Sequence, residues 1–151
     1  MKYILLLSVV FVMLSLVRSE TEANPSYWSS CAAKGDKLTL KNVVLAPFPP
    51  VRGKNLNITV IGTLNEKISN GIVYISMIGD NNQKMDTQVD ICKNSFTHAS
   101  ECPAPAGNFA KTISLPVPAM APPGHYTTHI VVRDDKKNQI TCYNLDITLP
   151  H

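Results

Sequence analysis

After residue 20 the apolar positions come in short, β-branched runs, and turn-forming residues recur between them at spacings of roughly ten. No stretch there sustains a 3.6-residue period, so helices are not expected. The pattern predicts seven strands, at 37–46, 54–64, 72–78, 84–91, 109–117, 125–133 and 139–149. Residues 65–71, the run Gly79-Asp80-Asn81-Asn82 and residues 134–138 read as solvated turns. Nine of the eleven prolines fall in three clusters, at 47–50, 103–105 and 116–123. Proline cannot donate to a sheet ladder, so these clusters mark loops and strand ends. About seven regular strands with no repeat or linker predict one all-β, immunoglobulin-like sandwich of two antiparallel sheets.

Alternation within the strands proposes which residues face inward. Ile58, Val60 and Gly62 alternate with Asn57, Thr59 and Ile61. Tyr126, Thr128, Ile130 and Val132 alternate with Thr127, His129 and Val131. In the third strand Ile72, Tyr74, Ser76 and Ile78 alternate with Val73, Ile75 and Met77, so both of its faces are apolar. On pattern alone the inward residues make an ordinary packed core.

The first residues read as an address. Lys2 precedes an apolar run at 3–17, broken only by Ser8 and Ser15. That run is shorter than the ~20 residues that cross a bilayer. Val17 and Ser19 are small enough for a cleavage site, which makes residues 1–19 a secretory signal peptide and 20–151 the mature domain. The full chain of 151 residues has 14 basic and 11 acidic residues. Lys2 and Arg18 leave with the signal, so the mature domain carries one net positive charge. No basic block interleaved with aromatics is present, which argues against a nucleic-acid partner.

Four cysteines, Cys31, Cys92, Cys102 and Cys142, behind a signal peptide read as two disulfides. Three pairings are open. Cys92 and Cys102 flank a short polar stretch and can close it locally, while Cys31 and Cys142 lie near the two ends of the domain. Catalytic signatures are missing: no G-x-S-x-G, no H-E-x-x-H and no glycine-rich phosphate loop. His98, His125, His129 and His151 read as surface residues; His125 and His129 share a strand face but lie ~13 Å apart at strand rise. The run from Asp80 to Ile91 fails as a calcium loop, with Met85 and Ile91 where glycine and glutamate belong. Expected, then, are no catalytic residues, no metal and no cofactor. Asn57-Ile58-Thr59 is a glycosylation sequon that would mark Asn57 as solvent-facing.

Several segments taken together carry a resemblance. They are Trp28-Ser29-Ser30-Cys31, Asp90-Ile91-Cys92, Cys102-Pro103, Pro122-Pro123-Gly124-His125-Tyr126 and Ile140-Thr141-Cys142, in order along nearly the whole mature chain. In these the sequence resembles the ML (lipid-recognition) domain family, and within it the secreted phosphatidylglycerol/phosphatidylinositol transfer proteins. The resemblance implies the pairs Cys31–Cys142 and Cys92–Cys102. It also implies two sheets that splay apart around an apolar pocket, with an aromatic near the mouth at the position of Phe109. The family's lysosomal cholesterol carrier has a third disulfide, whose cysteines are missing here between Cys31 and Cys92. Phospholipid is therefore the nearer analogy, with sterol as the other cargo class.

Candidate pocket residues are Ile58, Val60, Ile72, Tyr74, Ile78, Phe109, Ile113, Leu115, Tyr126, Ile130 and Val132. The proline-rich segments at 47–50 and 116–123 are candidate frames for the entrance. What the resemblance implies is a non-enzymatic, monomeric carrier, secreted or in the endolysosomal lumen, that binds a lipid and touches membranes transiently. The competing reading is a secreted adhesion or interaction module with a filled core, and a third is an accessory that presents lipid to an enzyme or receptor.

Overall fold

A computed structural model describes residues 27–92 and 102–151. The proposed signal at 1–19 and His98 lie outside the described residues. Eight strands form in chain order: β1 (Trp28–Ser30), β2 (Leu38–Ala46), β3 (Asn55–Leu64), β4 (Ile72–Gly79), β5 (Lys84–Asp90), β6 (Gly107–Pro116), β7 (Gly124–Arg133) and β8 (Gln139–Leu149). Seven of them match the expected strands within two residues. The eighth, β1, is only three residues long and has no alternation to read.

All pairings are antiparallel. One sheet has the order β1-β8-β7-β4-β5 and the other β2-β3-β6. Between them lies a core that includes Val43, Ile58, Val73, Ile130, Tyr143 and Leu145, each at most 4% exposed. Period-two alternation produces it: Leu56, Ile58, Val60 and Leu64 of β3 are buried, as are Thr128, Ile130 and Val132 of β7.

Two register shifts shape the sheets. In β2 the pairing skips from Leu40↔Gly62 to Asn42↔Ile61, leaving Lys41 as the extra residue. Gly62 is required beside this bulge, because any Cβ there would run into the backbone oxygen of Thr39. In β8 the pairing skips from Val132↔Thr141 to Arg133↔Gln139. Ile140 is the extra residue, and both it and Thr141 are buried.

The sandwich is tied along one side. β2 and β8 are the strands of opposite sheets whose backbones come close. Tyr27, ahead of β1, donates its hydroxyl to the Val43 carbonyl of β2 (3.1 Å). Gln139 Nε2 donates to Asp36 (2.8 Å), and Lys37 Nζ lies 3.0 Å from Asp134 and 2.6 Å from Glu66. The turn at 134–138 is thus not wholly solvated. Its Asp134 side chain is only 8% exposed, because it holds Lys37 across the sheets and accepts from the Asn138 backbone and side chain (2.8 and 3.2 Å).

Both disulfides form. Cys31–Cys142 joins the end of β1 to β8, and Cys92–Cys102 spans the connection from β5 to β6. The first therefore anchors the short added strand β1 to β8.

Candidate functional site

The strand order sets which edge strands lie away from the β2–β8 contact. With β2 laid against β8, β5 and β6 are the edge strands on the opposite side. Between the sheets near that side lies a cavity of about 70 Å³. Its walls come from both sheets: Leu38, Val60 and Leu64, then Phe109, Lys111 and Ile113 of β6 on one, and Val73, Val89, Val132, Ile140, Thr141 and Tyr143 on the other. Ile68, Ile91, Cys102 and Ala104 complete it from the connecting segments. Ile68 and Ala104 exchange both backbone hydrogen bonds (2.9 and 2.8 Å), which pins the β3–β4 connection to the segment after Cys102. The Cys92–Cys102 disulfide sits beside this pairing and holds the β5–β6 crossover.

The lining is apolar apart from three side chains. Tyr143 is 2% exposed, and burial pushes its hydroxyl well above the usual phenol range. Thr141 Oγ1 is buried with no hydrogen-bond partner. Lys111 faces inward on β6 and is half-buried.

Of the residues proposed from sequence, Val60, Phe109, Ile113 and Val132 meet in this lining. Ile58 and Ile130 are buried in the core, 4% and 1% exposed, and Leu115 packs against that core half-buried; none of the three lines the cavity. Tyr126 lies over Gly79 at the far end of β7 and donates its hydroxyl to the Pro122 carbonyl (2.6 Å).

Ile72, Tyr74 and Ile78 stand on the outer face, opposite to the expectation. Val73 and Ile75 are the buried residues of β4, while Ile72 and Ile78 are 37% and 46% exposed. Their partners on β5, Gln88 opposite Tyr74 and Lys84 opposite Ile78, belong to that solvent face. Those polar residues are the signal that would have set the parity. Residues 47–50 and 116–123 do not frame the cavity. They gather at the other end of the smaller sheet, where the Gly53 amide donates to the Val117 carbonyl (2.8 Å).

His125 and His129 project from the outer face of β7. His129 Nδ1 is 2.7 Å from Asn144 Oδ1, and His125 Nε2 is 3.8 Å from Asp146. Cys31, His129 and Cys142 bring a nitrogen and two sulfurs within 4.8 Å, but the sulfurs are bonded to each other and do not offer thiolates to a metal. Asn57 is exposed on β3, as the sequon reading expects.

Comparison with known proteins places this arrangement. The family model for the ML domain matches residues 25–149. The chain belongs to the ML domain family. A Dictyostelium discoideum protein, provisionally named a phosphatidylglycerol/phosphatidylinositol transfer protein, is 34% identical and aligns over 96% of this chain and 99% of its own length. The phosphatidylglycerol/phosphatidylinositol transfer protein of Mycosarcoma maydis is 26% identical over 88% of this chain and 70% of its own. Among solved structures, a Niemann-Pick type C2 protein from Japanese carpenter ant superposes with a TM-score of 0.62 at 14% identity, covering 81% of this chain and 98% of that one. Chicken MD-1, solved in complex with lipid IVa, gives 0.55 at 11% identity, covering 80% and 97%. The ML domain in this chain is a two-sheet sandwich with a cavity lined from both sheets.

Proposed function

We propose that this ML domain is a carrier that takes the acyl part of a phospholipid between its sheets and moves it from one membrane to another. The observation that carries the reading is the apolar cavity built from both sheets, with β5 and β6 as the edge strands away from the β2–β8 contact. The relatives named as phosphatidylglycerol/phosphatidylinositol transfer proteins support it.

At about 70 Å³ the closed cavity is well below the ~300–1,000 Å³ of sites that enclose a drug-sized ligand. Loading therefore moves the sheets apart, and the ties at Lys37–Asp134 and Asp36–Gln139 make the β2–β8 side the hinge. Each methylene buried against such walls contributes up to ~0.8 kcal/mol, which offsets the parting of the sheets. The headgroup stays at the mouth, since burying it unpaired would cost several kcal/mol.

In this reading residues 1–19 direct the chain into the secretory pathway, and it works as a monomer outside the cell or in the endolysosomal lumen. A glycan on Asn57 would project from the face opposite Ile58 and leave the cavity clear. The domain performs no covalent chemistry on its cargo. A filled-core adhesion module would have no use for a hollow walled by both sheets.

The test is transfer of a fluorescent phospholipid from donor to acceptor vesicles. A rate rising in proportion to protein concentration is expected. A rate equal to spontaneous exchange at every protein concentration would overturn the proposal, and transfer of a sterol but no phospholipid would reassign the cargo.

A further inference from the structure

Two described residues bring hydroxyls to the cavity wall, Thr141 and Tyr143, and both belong to β8. The bulge at Ile140 sets Thr141 on the inward face with Tyr143 and Leu145, opposite Val132, itself a wall residue. Thr141 is 1% exposed, and its Oγ1 has no hydrogen-bond partner in the protein. Valine has the same shape, so packing does not call for this oxygen, and burying a hydroxyl unpaired is unfavourable. Burial alone acts on the hydroxyl of Tyr143.

Trp28 Nε1 and Thr128 Oγ1 are also buried without partners, but neither residue lines the cavity. At Thr141 an unpaired buried hydroxyl coincides with the space between the sheets. In the order β1-β8-β7-β4-β5 the wall runs from Val89 on the edge strand β5 to Thr141 on β8. That is three interstrand spacings, roughly 14 Å. A headgroup kept outside the β5 edge is far from Thr141, and the part of a lipid that reaches this wall is the interior of a chain.

We propose that Thr141, with Tyr143 next to it on β8, selects a lipid whose acyl chain carries a hydroxyl within its length. This rests on the carrier reading and names the cargo that the deep wall recognises. A bilayer core holds no water to bond such a hydroxyl. Against β8 it meets Thr141 Oγ1, which both donates and accepts, and two unpaired groups become one hydrogen bond. A plain chain leaves the threonine as it was.

The experiment offers the full chain vesicles holding equal amounts of two phosphatidylglycerols, one with a stearoyl chain and one with hydroxystearoyl chains of mixed hydroxyl position. Native mass spectrometry separates the two complexes by one oxygen. Wild type should take the hydroxylated lipid in preference, and Thr141→Val should lower that ratio about fivefold while loading the plain lipid as before. Thr141→Ser, which keeps the hydroxyl, should keep the ratio. So should Thr128→Val, which removes an unpaired buried hydroxyl outside the cavity. Thr141→Ala takes the place of the valine variant if that chain does not fold.

Equal loading of the two lipids by wild type would overturn the assignment, as would a ratio unchanged in Thr141→Val. A ratio lost equally in Thr128→Val would also overturn it, because the effect would then be a general one of the core. In vesicles where cholesterol replaces the hydroxylated lipid, capture of cholesterol that depends on Thr141 would move the hydroxyl from an acyl chain to a sterol and overturn the acyl assignment. If wild type loads no lipid at all, the carrier reading itself fails, an outcome distinct from loading without preference.

Discussion

A single choice of parity on β4 decides which isoleucines are wall and which are surface. Val132 projects into the cavity, and Ile78 projects from the outer face at 46% exposure. Val132→Phe is expected to reduce lipid uptake about tenfold, with an overpacking cost of ~1–3 kcal/mol. Ile78→Ser should leave uptake unchanged; co-sedimentation with labelled vesicles and urea unfolding separate the two effects. Thr141 gives a second residue-scale test. Its hydroxyl is buried and unpartnered, so Thr141→Val should raise the unfolding free energy by about 1 kcal/mol. A loss of stability would mean that the hydroxyl is hydrogen-bonded in solution. Leu145, fully buried, marks the ordinary core, and Leu145→Ala should cost ~2–5 kcal/mol in the same unfolding experiment. Where only one face of a strand was apolar, as on β3, the sequence carried the inward residues correctly. It failed on β4 because both faces are apolar, and the deciding information lies in the partner strand, where Lys84, Asp86 and Gln88 mark the solvent side. Lys111 was hidden for a related reason: in a one-dimensional pattern an inward lysine reads as an outward one.

At the scale of elements, the turns carry more than their composition announces. The β7–β8 turn looks solvated, yet its first aspartate is the counter-ion of Lys37 in the segment entering the other sheet. Burial opposes the charge of Asp134, but hydrogen bonds from Lys37 and Asn138 outweigh it and hold the carboxyl at about 2. In the unfolded chain an aspartate titrates at ~3.9. The folded value is the lower one, so the contribution is complete above about pH 4 and is lost as pH falls towards about 2. The stability gap between wild type and Asp134→Asn should therefore be constant from neutral pH to about 4 and narrow below it, as read by urea unfolding across that range. A gap that widens on acidification would contradict the pairing. Strand positions and the fold class were legible because turn residues punctuate the chain so regularly. The three-residue β1 and the bulge that turns both Ile140 and Thr141 inward were not, since pairing rather than periodicity defines them.

For the whole molecule, the distribution of ties between the sheets matters more than any one wall residue. Cross-sheet contacts from Tyr27, Asp36 and Lys37 gather along β2 and β8, while β5 and β6 are edges. On the proposed function such a sandwich would open as a wedge hinged at β2 and β8, with the Cys92–Cys102 disulfide limiting how far the ends of β5 and β6 part. Alternation along the chain could not distinguish such a wedge from a filled sandwich, because both need the same aliphatic inner faces. The family resemblance pointed to the cavity, and the strand order located it. The most direct test is native mass spectrometry of the full chain, purified without detergent, before and after incubation with mixed liposomes. One phospholipid bound per chain is the expected result. A ligand-free mass under both conditions would contradict a cavity that opens to hold lipid.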